Sequence, residues 1–360
     1  MKAPVLIIGG GPAGMALALA LHQRGVTARI VDARPRGAAK SDARILALSH
    51  GSRLILENLG VWGSIPHTPI TTIHISHQGG LGRTQIRATE EHVPALGYVL
   101  AAGDLAAALD TLLTTQAIAF DDNTPSPAHA DAALTVHAQG RIDNTAADIR
   151  SRDYGQHAVI CTTRAATPQR GVAWERFTPA GPVALLPCQD AYAVVMTCPA
   201  ADSDHIATLD DSDFLTLLQG RFGDRVRLTS VGPRHIYPLG LRVRQNPVSG
   251  REVWIGNAAQ TLHPVAGQGF NLALRDIIEL ADMLTDAADP GDAQLLARYA
   301  AGRRLDRIST VGFTDGLVRL FSNDSAPLRH LRGAGLLALD LLPAARSFVA
   351  RRMMFGARGW

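Results

Sequence analysis

The stretch that decides the fold is Ala3-Pro-Val-Leu-Ile-Ile-Gly9-Gly10-Gly11-Pro12-Ala13-Gly14, continued by Met15 to Gly25 and by Thr27-Ala-Arg-Ile-Val-Asp32. Ala3–Ile8 is short, continuous and aliphatic, the pattern of a strand buried in a parallel sheet. Pro12–Arg24 reads as a helix ended by Gly25, and Thr27–Val31 as a second strand. Between the first strand and the helix stands a G-x-G-x-x-G pattern. Gly9 permits the tight turn, Gly11 lets a pyrophosphate approach the backbone, and Gly14 lets helix and strand pack closely. The helix N-terminus offers free N–H groups and the positive end of its dipole to phosphates. Asp32 ends the second strand, where an acid accepts hydrogen bonds from ribose hydroxyls. These residues specify a dinucleotide site and leave FAD and NAD both open.

Working outward, 360 residues suffice for two domains or slightly more. With 46% apolar and 19% charged residues, wholesale disorder is excluded. The 34 glycines and 20 prolines follow no three-residue period, which excludes collagen. Aromatics at 5% argue against a base-stacking surface, so no nucleic-acid partner is expected. No apolar run reaches the roughly 20 residues of a spanning helix; the longest, Ala334 to Ala345, is interrupted by Asp340 and Pro343. Cys161, Cys188 and Cys198 form no C-x-x-C, which points to a reducing compartment and no metal site. Lys2, the apolar run and Ala18-Leu19-Ala20 imitate a signal peptide. The three consecutive glycines and the second strand favour the folded reading, with a mature chain starting near Met1 in the cytoplasm.

Of the 35 basic residues only Lys2 and Lys40 are lysines. Charge is uneven. Residues 327–360 hold six arginines (329, 332, 346, 351, 352, 358) and one acid, Asp340, a balance of +5. With +3 for the whole chain, residues 1–326 carry −2. The Leu331–Trp360 tail mixes Leu, Phe, Met and Arg. A basic amphipathic segment of this kind either lies on an anionic membrane or packs on the body of the protein.

Further along, Leu48–Leu59 reads as a helix stopped by Gly60, and Asp104 as the cap of a helix over Leu105–Thr114. Residues 121–170 are polar and read as irregular. Val183–Leu186, Ala191–Met196, Arg225–Val231 and Glu252–Ile255 read as strands, and Asp213–Gly220, Phe270–Leu284 and Ala293–Phe321 as helices, the last with a break near Gly312 or Gly316. The order gives an α/β fold: a Rossmann-like dinucleotide-binding domain with an inserted β-sheet-rich substrate domain and a C-terminal helical tail. The expected division assigns 1–72, 96–170 and 245–315 to the first domain, 73–95 and 171–244 to the second, and 316–360 to the helical tail.

A second motif, Gly256-Asn257-Ala-Ala-Gln-Thr-Leu-His263-Pro264-Val-Ala-Gly267-Gln268-Gly269-Phe270-Asn271, lies between a strand and a long helix. Gly267 and Gly269 free the backbone before the helix start, which makes an anion site. Asn257 is placed to hydrogen-bond a sugar or phosphate. His263 reads as a structural hydrogen-bonding group rather than a base.

This loop, the glycine-rich start and Asp42-Ala-Arg44-Ile-Leu-Ala-Leu-Ser49-His-Gly-Ser52 resemble the FAD-dependent aromatic hydroxylases of ubiquinone biosynthesis, the 2-polyprenyl-6-methoxyphenol hydroxylase type. So do Glu175-Arg-Phe-Thr-Pro-Ala-Gly181, Tyr237-Pro238-Leu239, Thr314–Phe321 and Arg332–Leu337, so the resemblance covers nearly the whole chain. It implies that Gly9, Gly11, Gly14 and Asp32 hold the ADP half of FAD, and that Arg44 approaches the pyrophosphate or flavin. It also implies that Asn257 meets the pyrophosphate–ribitol region, and that Pro264, Gly267, Gln268, Gly269 and Asn271 run beside the isoalloxazine ring. A helix N-terminus aimed at the anionic reduced flavin stabilises it by ~0.3–2 kcal/mol.

The implied activity is monooxygenation of a polyprenyl phenol by O2 through a C4a-hydroperoxyflavin, with NAD(P)H as electron donor. The alternatives are a related flavin hydroxylase with another aromatic substrate, or a flavin-binding accessory subunit without turnover. The family's Asp-Gly motif, which links FAD to the nicotinamide donor, is replaced here by Gln139-Gly140. Phe177, Leu185, Pro187, Tyr237 and Pro238 are the expected substrate wall, each with core packing as its alternative. The implied surroundings are cytoplasmic, peripheral on the inner membrane or in a quinone-biosynthesis protein complex.

Overall fold

The computed structural model describes residues 5–79, 82–126, 132–142, 148–321 and 326–357. Val5–Ile8 is the centre of a six-stranded sheet. It pairs in parallel with Ala28–Val31 on one side (Val5 opposite Ala28) and with Leu134–His137 on the other (Val5 opposite Leu134). Ala119–Asp121 extends the sheet beyond Ala28–Val31, and Glu252–Trp254 beyond Leu134–His137. All four residues of Val5–Ile8 are buried, as its unbroken aliphatic sequence requires. Helix Pro12–Gln23 packs on this sheet, and on helices Ala102–Thr115 and Gln268–Leu284, through its buried face Gly14–Leu21.

The second sheet has nine strands. Its middle is Ile149–Ala165, 17 residues long, flanked antiparallel by Ala191–Pro199 and His235–Arg244. Gly181–Cys188, Val172–Thr178, Thr72–His77 and Arg83–Arg87 continue it, with Val172–Thr178 parallel to Thr72–His77. One face packs on helix Asp211–Phe222: Phe214, Leu218 and Phe222 meet Val159, Val183, Leu185, Val194 and Met196. The other face looks toward the dinucleotide-binding region. A small sheet of Ile45–Ser49, Gly97–Ala101 and Thr68–Ile70 lies between.

Several expectations are corrected. Within 121–170, Leu134–His137 and Ile149–Ala165 are strands rather than irregular chain. Ile149–Ala165 is a long strand of the large sheet. Ile45–Ser49 is a strand paired with Gly97–Ala101, so the next helix begins at His50, not Leu48; the Ser49 hydroxyl caps it by accepting the Ser52 N–H at 3.2 Å. The helix expected from Leu105 starts at Ala102, with Asp104 in its first turn rather than at its cap. Helix Ala293–Phe321 runs without a break past Gly312 and Gly316.

The tail folds back as helices Ala326–Leu341 and Pro343–Phe355, packed on Arg83–Arg87 and His50–Asn58. Arg346 pairs with Glu90 and Arg351 with Glu91, while Arg332 is buried beside His77, 3.2 Å away. The side chain of Arg329, and Arg358, lie outside the described residues, as do Lys2 and Ala3. The chain end is pinned by a buried ion network. Arg303 bonds Asp276 and Asp306, Arg275 bonds Asp306, and Asp306 accepts the Ala357 N–H. No single helix among the described residues is long and apolar enough to cross a membrane.

Candidate functional site

The glycine turn is built by contacts that exclude side chains. Gly9 has φ +112°, and a Cβ there would stand 2.9 Å from the Ala138 and Gln139 backbone. A Cβ on Gly14 would lie 1.9 Å from the Gly9 carbonyl oxygen, so helix and strand meet only because it is glycine. A Cβ on Gly11 would meet nothing within 4 Å: the turn leaves open space beside its backbone, at the start of helix Pro12–Gln23. That space is the end of a cavity of about 620 Å³, within the range of small-molecule sites.

Asp32 accepts the Gly10 N–H at 2.6 Å and the Arg34 N–H at 2.8 Å, and the Arg34 side chain adds bonds at 3.1 and 3.2 Å. Burial would raise its pKa, but the bonds from Arg34 and Gly10 bring it below the ordinary carboxylate value. Asp32 does not itself line the cavity; the half-exposed Arg34 does.

Along the cavity stand Arg44, Asn257, Pro264, Gly267 and Gly269. Arg44 is charge-balanced by Asp42, its Nε 2.9 Å from Oδ1. Hydrogen bonding to Asp42 raises its pKa, opposed by burial, with a further contribution from nearby Tyr237. Asn257 donates to the Gly140 carbonyl at 3.3 Å, which joins the second motif to the Ala138–Gly140 loop. Gln139, in place of the family's Asp, therefore lies in the cavity wall. Gly267, at φ +60°, caps helix Gln268–Leu284 in the left-handed region, and this helix starts at the cavity.

Two of the expected residues have side chains engaged within the protein. Every hydrogen-bonding position of Asn271 is occupied. Its Oδ1 accepts from the Ser49 N–H (2.8 Å) and the Ser52 hydroxyl (2.7 Å), and its Nδ2 donates to the Ala47 and Gly267 carbonyls. The Asn271 side chain therefore clasps the loop to Ile45–Ser49. Gln268 donates to the Met353 carbonyl at 3.4 Å. Both border a second cavity of about 370 Å³. His263 lines the first cavity. Its Nδ1 accepts the Val265 N–H at 3.1 Å, and burial pushes its pKa down to about 4, as suits a structural, neutral imidazole.

The second cavity is apolar and runs between the large sheet and the C-terminal helices, past Leu317, Leu336, Leu339, Val349 and Met353. The two cavities share Ala47, Leu48, Ile70, Ile73, Glu175 and Val265. Of the expected substrate wall, Phe177 lines the second cavity. Leu185 is buried on the opposite face of the sheet among Phe214 and Leu218, and Pro187 shares that face. Strand alternation turns Pro182, Ala184 and Leu186 to the cavity instead, a one-residue shift that reverses every side chain. Pro238 is exposed, and neither it nor Tyr237 lines either cavity. Glu175 and the tail residues of the apolar cavity were not singled out from sequence. The one signal was a carboxylate on the apolar alternation Ala173-x-Glu175-x-Phe177.

Open space at Gly11, a helix start at each end of the larger cavity and two arginines along it fit a dinucleotide. A sequence model of the FAD-binding-domain family matches residues 2–152 and 125–311. The ubiquinone hydroxylase UbiL of Rhodospirillum rubrum is 34% identical, over 98% of this chain and 89% of its own length. The 3-demethoxyubiquinol 3-hydroxylase of Escherichia coli is 27% identical, over 93% of this chain and 94% of its own. The p-nitrophenol 4-monooxygenase PnpA of Pseudomonas putida shares the fold, with a TM-score of 0.77 at 15% identity over 99% of both chains. The chain belongs to the FAD-binding-domain family of flavin-dependent monooxygenases, alongside the ubiquinone hydroxylases.

Proposed function

We propose that this FAD-dependent monooxygenase hydroxylates the ring of a phenol bearing a long apolar tail, a polyprenyl phenol of ubiquinone biosynthesis. One observation carries the reading: the cavity that begins at the glycine turn lies directly beside the apolar cavity, with six lining residues in common. A ring at that junction lies against the cofactor while its tail extends between the C-terminal helices.

In this reading the Gly11 backbone and the first turn of Pro12–Gln23 hold the pyrophosphate, and Asp32 and Arg34 meet the ribose. Gly9 and Gly14 shape the turn. Arg44 and Asn257 flank the middle of the cofactor. Pro264, Gly267 and Gly269 lie beside its ring, where the helix dipole favours the reduced, anionic form. Bound FAD, once reduced with NAD(P)H as donor, supplies the electrons that activate O2. The chain positions the ring and keeps water out through Ile70, Ile73 and Val265.

Leu337, Leu341 and Phe348 on the two helices that line the apolar cavity, and Leu342 in the link between them, are exposed, and they suit a membrane surface as the source of the substrate. Deleting the gene and profiling quinone precursors tests the reading. A prenylated phenol lacking one ring oxygen should accumulate and disappear on complementation. An unchanged precursor profile would contradict it.

A further inference from the structure

Glu175 is a carboxyl set in an apolar wall. On strand Val172–Thr178, Trp174 packs toward helix Asp211–Phe222 and Arg176 donates to the Arg221 carbonyl. Ala173, Glu175 and Phe177 therefore face the other way, toward the cavities. The residues opposite Glu175 on the neighbouring strands are Ile75 and Ala184, neither of which offers a polar side chain. No hydrogen bond or ion pair reaches its carboxylate among the described residues. It is one of six residues common to both cavity walls, so it stands where the cofactor cavity meets the apolar one.

We propose that Glu175 is the catalytic base that takes the phenolic proton of the substrate. The inference rests on the phenol reading above. Glu175 is half-buried at the cavity junction, and a carboxylate kept in such an apolar wall without structural bonds is available to a ligand. The carboxylate accepts the phenolic proton. The electron pair of that O–H bond moves into the ring, and the ring carbon ortho or para to it forms the new C–O bond. The oxygen atom comes from O2, which the cofactor's two electrons reduce. That carbon then releases its hydrogen as a proton, aromaticity returns, and the proton on Glu175 goes back to the first ring oxygen. The ring has lost two electrons, and the second oxygen atom of O2 leaves as water.

Burial pushes the Glu175 pKa up to about 7, so near neutral pH it can both accept and return a proton. Of the other charged or titratable groups on the surrounding elements, His263 is held neutral with its Nε2 unpartnered, and the rest that line the cavities are paired. Arg44 is held by Asp42, Arg332 lies against His77, and Asp315 on helix Ala293–Phe321 bonds Arg152 and Tyr154. Burial alone accounts for the shift at Glu175.

The test reduces the FAD-loaded protein chemically, so that no nicotinamide donor is needed, and mixes it with O2 and 2-geranylphenol. For Glu175→Gln, FAD content and thermal midpoint should match the parent. Product formed per O2 consumed should fall about a hundredfold or more, as expected for loss of a general base. The parent's single-turnover rate of product formation should rise with pH through about 7, and the variant's should lose that rise. Glu175→Asp should restore part of both. If Glu175→Gln forms product within about threefold of the parent with the same pH profile, Glu175 is not the base. If the parent itself leaves this phenol unmodified, the phenol reading fails instead.

Discussion

The Gly10 N–H points at the Asp32 carboxylate from 2.6 Å, tying the glycine turn to the end of the neighbouring parallel strand. The bond fixes the turn before any ligand arrives, while Gly11, one residue on, faces open space. Glycines in the same turn should therefore respond differently. Gly11→Val should fold normally and purify without FAD. Gly14→Val should lower stability, because its Cβ has no room beside the Gly9 carbonyl. Flavin absorbance and urea unfolding of the two proteins separate these outcomes; a yellow Gly11→Val protein would contradict the proposed cofactor position.

Asn271 acts as a brace. Asn271→Ala leaves the Ser49 N–H and the Gly267 and Ala47 carbonyls without their partner in a buried place. The expected cost is ~1–3 kcal/mol, read as a lower urea midpoint. Added FAD should recover little of it, since no cofactor contact is lost.

Gly269→Pro should act on the loop beside the flavin. Gln268 has helical φ and ψ (−84°, −10°), a conformation that a following proline disfavours. Hydroxylation should fall at least tenfold while the unfolding midpoint moves little. Product formation equal to the parent's would show that the loop does not touch the cofactor.

His263 and His74 are buried, and burial pushes both pKa values down to about 4 from 6.5. Each is neutral in the fold and takes up a proton on unfolding below pH 6.5. Their contribution is therefore complete above about pH 6.5 and is lost as pH falls toward 4, on the order of 1–3 kcal/mol for each. Urea unfolding at pH 7 and pH 5 should show the loss, and His263→Gln should lessen it. An identical pH dependence in that variant would contradict the assignment.

The tail's arginines are poor probes of membrane contact, because Arg346 and Arg351 pair with Glu90 and Glu91. Leu341 and Phe348 are better, at 68% and 59% exposure. Leu341→Asp with Phe348→Asp should reduce flotation with anionic liposomes while FAD content is unchanged. Flotation equal to the parent's would remove the membrane from the account.

The glycine turn, Asp32 and the Val183–Leu186 and Ala191–Met196 strands were legible because short-range pattern alone decides them. Ile149–Ala165 was not. Arg150, Arg152, Asp153 and Gln156 give it a polar sequence, and it is a strand because Ala191–Pro199 and His235–Arg244 pair with it on both sides. The apolar run Ile45–Leu48 could be strand or helix until Gly97–Ala101 paired with it. The apolar cavity was invisible because it joins residues as distant in sequence as Ile70 and Met353, and the face of Val183–Pro187 that meets ligand depends on a one-residue register.

The most direct test of the central claim is a single turnover under labelled oxygen. FAD-loaded protein, reduced without air, is mixed with 2-geranylphenol and 18O2. The account predicts a hydroxylated phenol carrying one 18O atom, with little peroxide released. Stoichiometric peroxide with the phenol recovered unchanged, from protein whose FAD was fully bound and reduced, would contradict it.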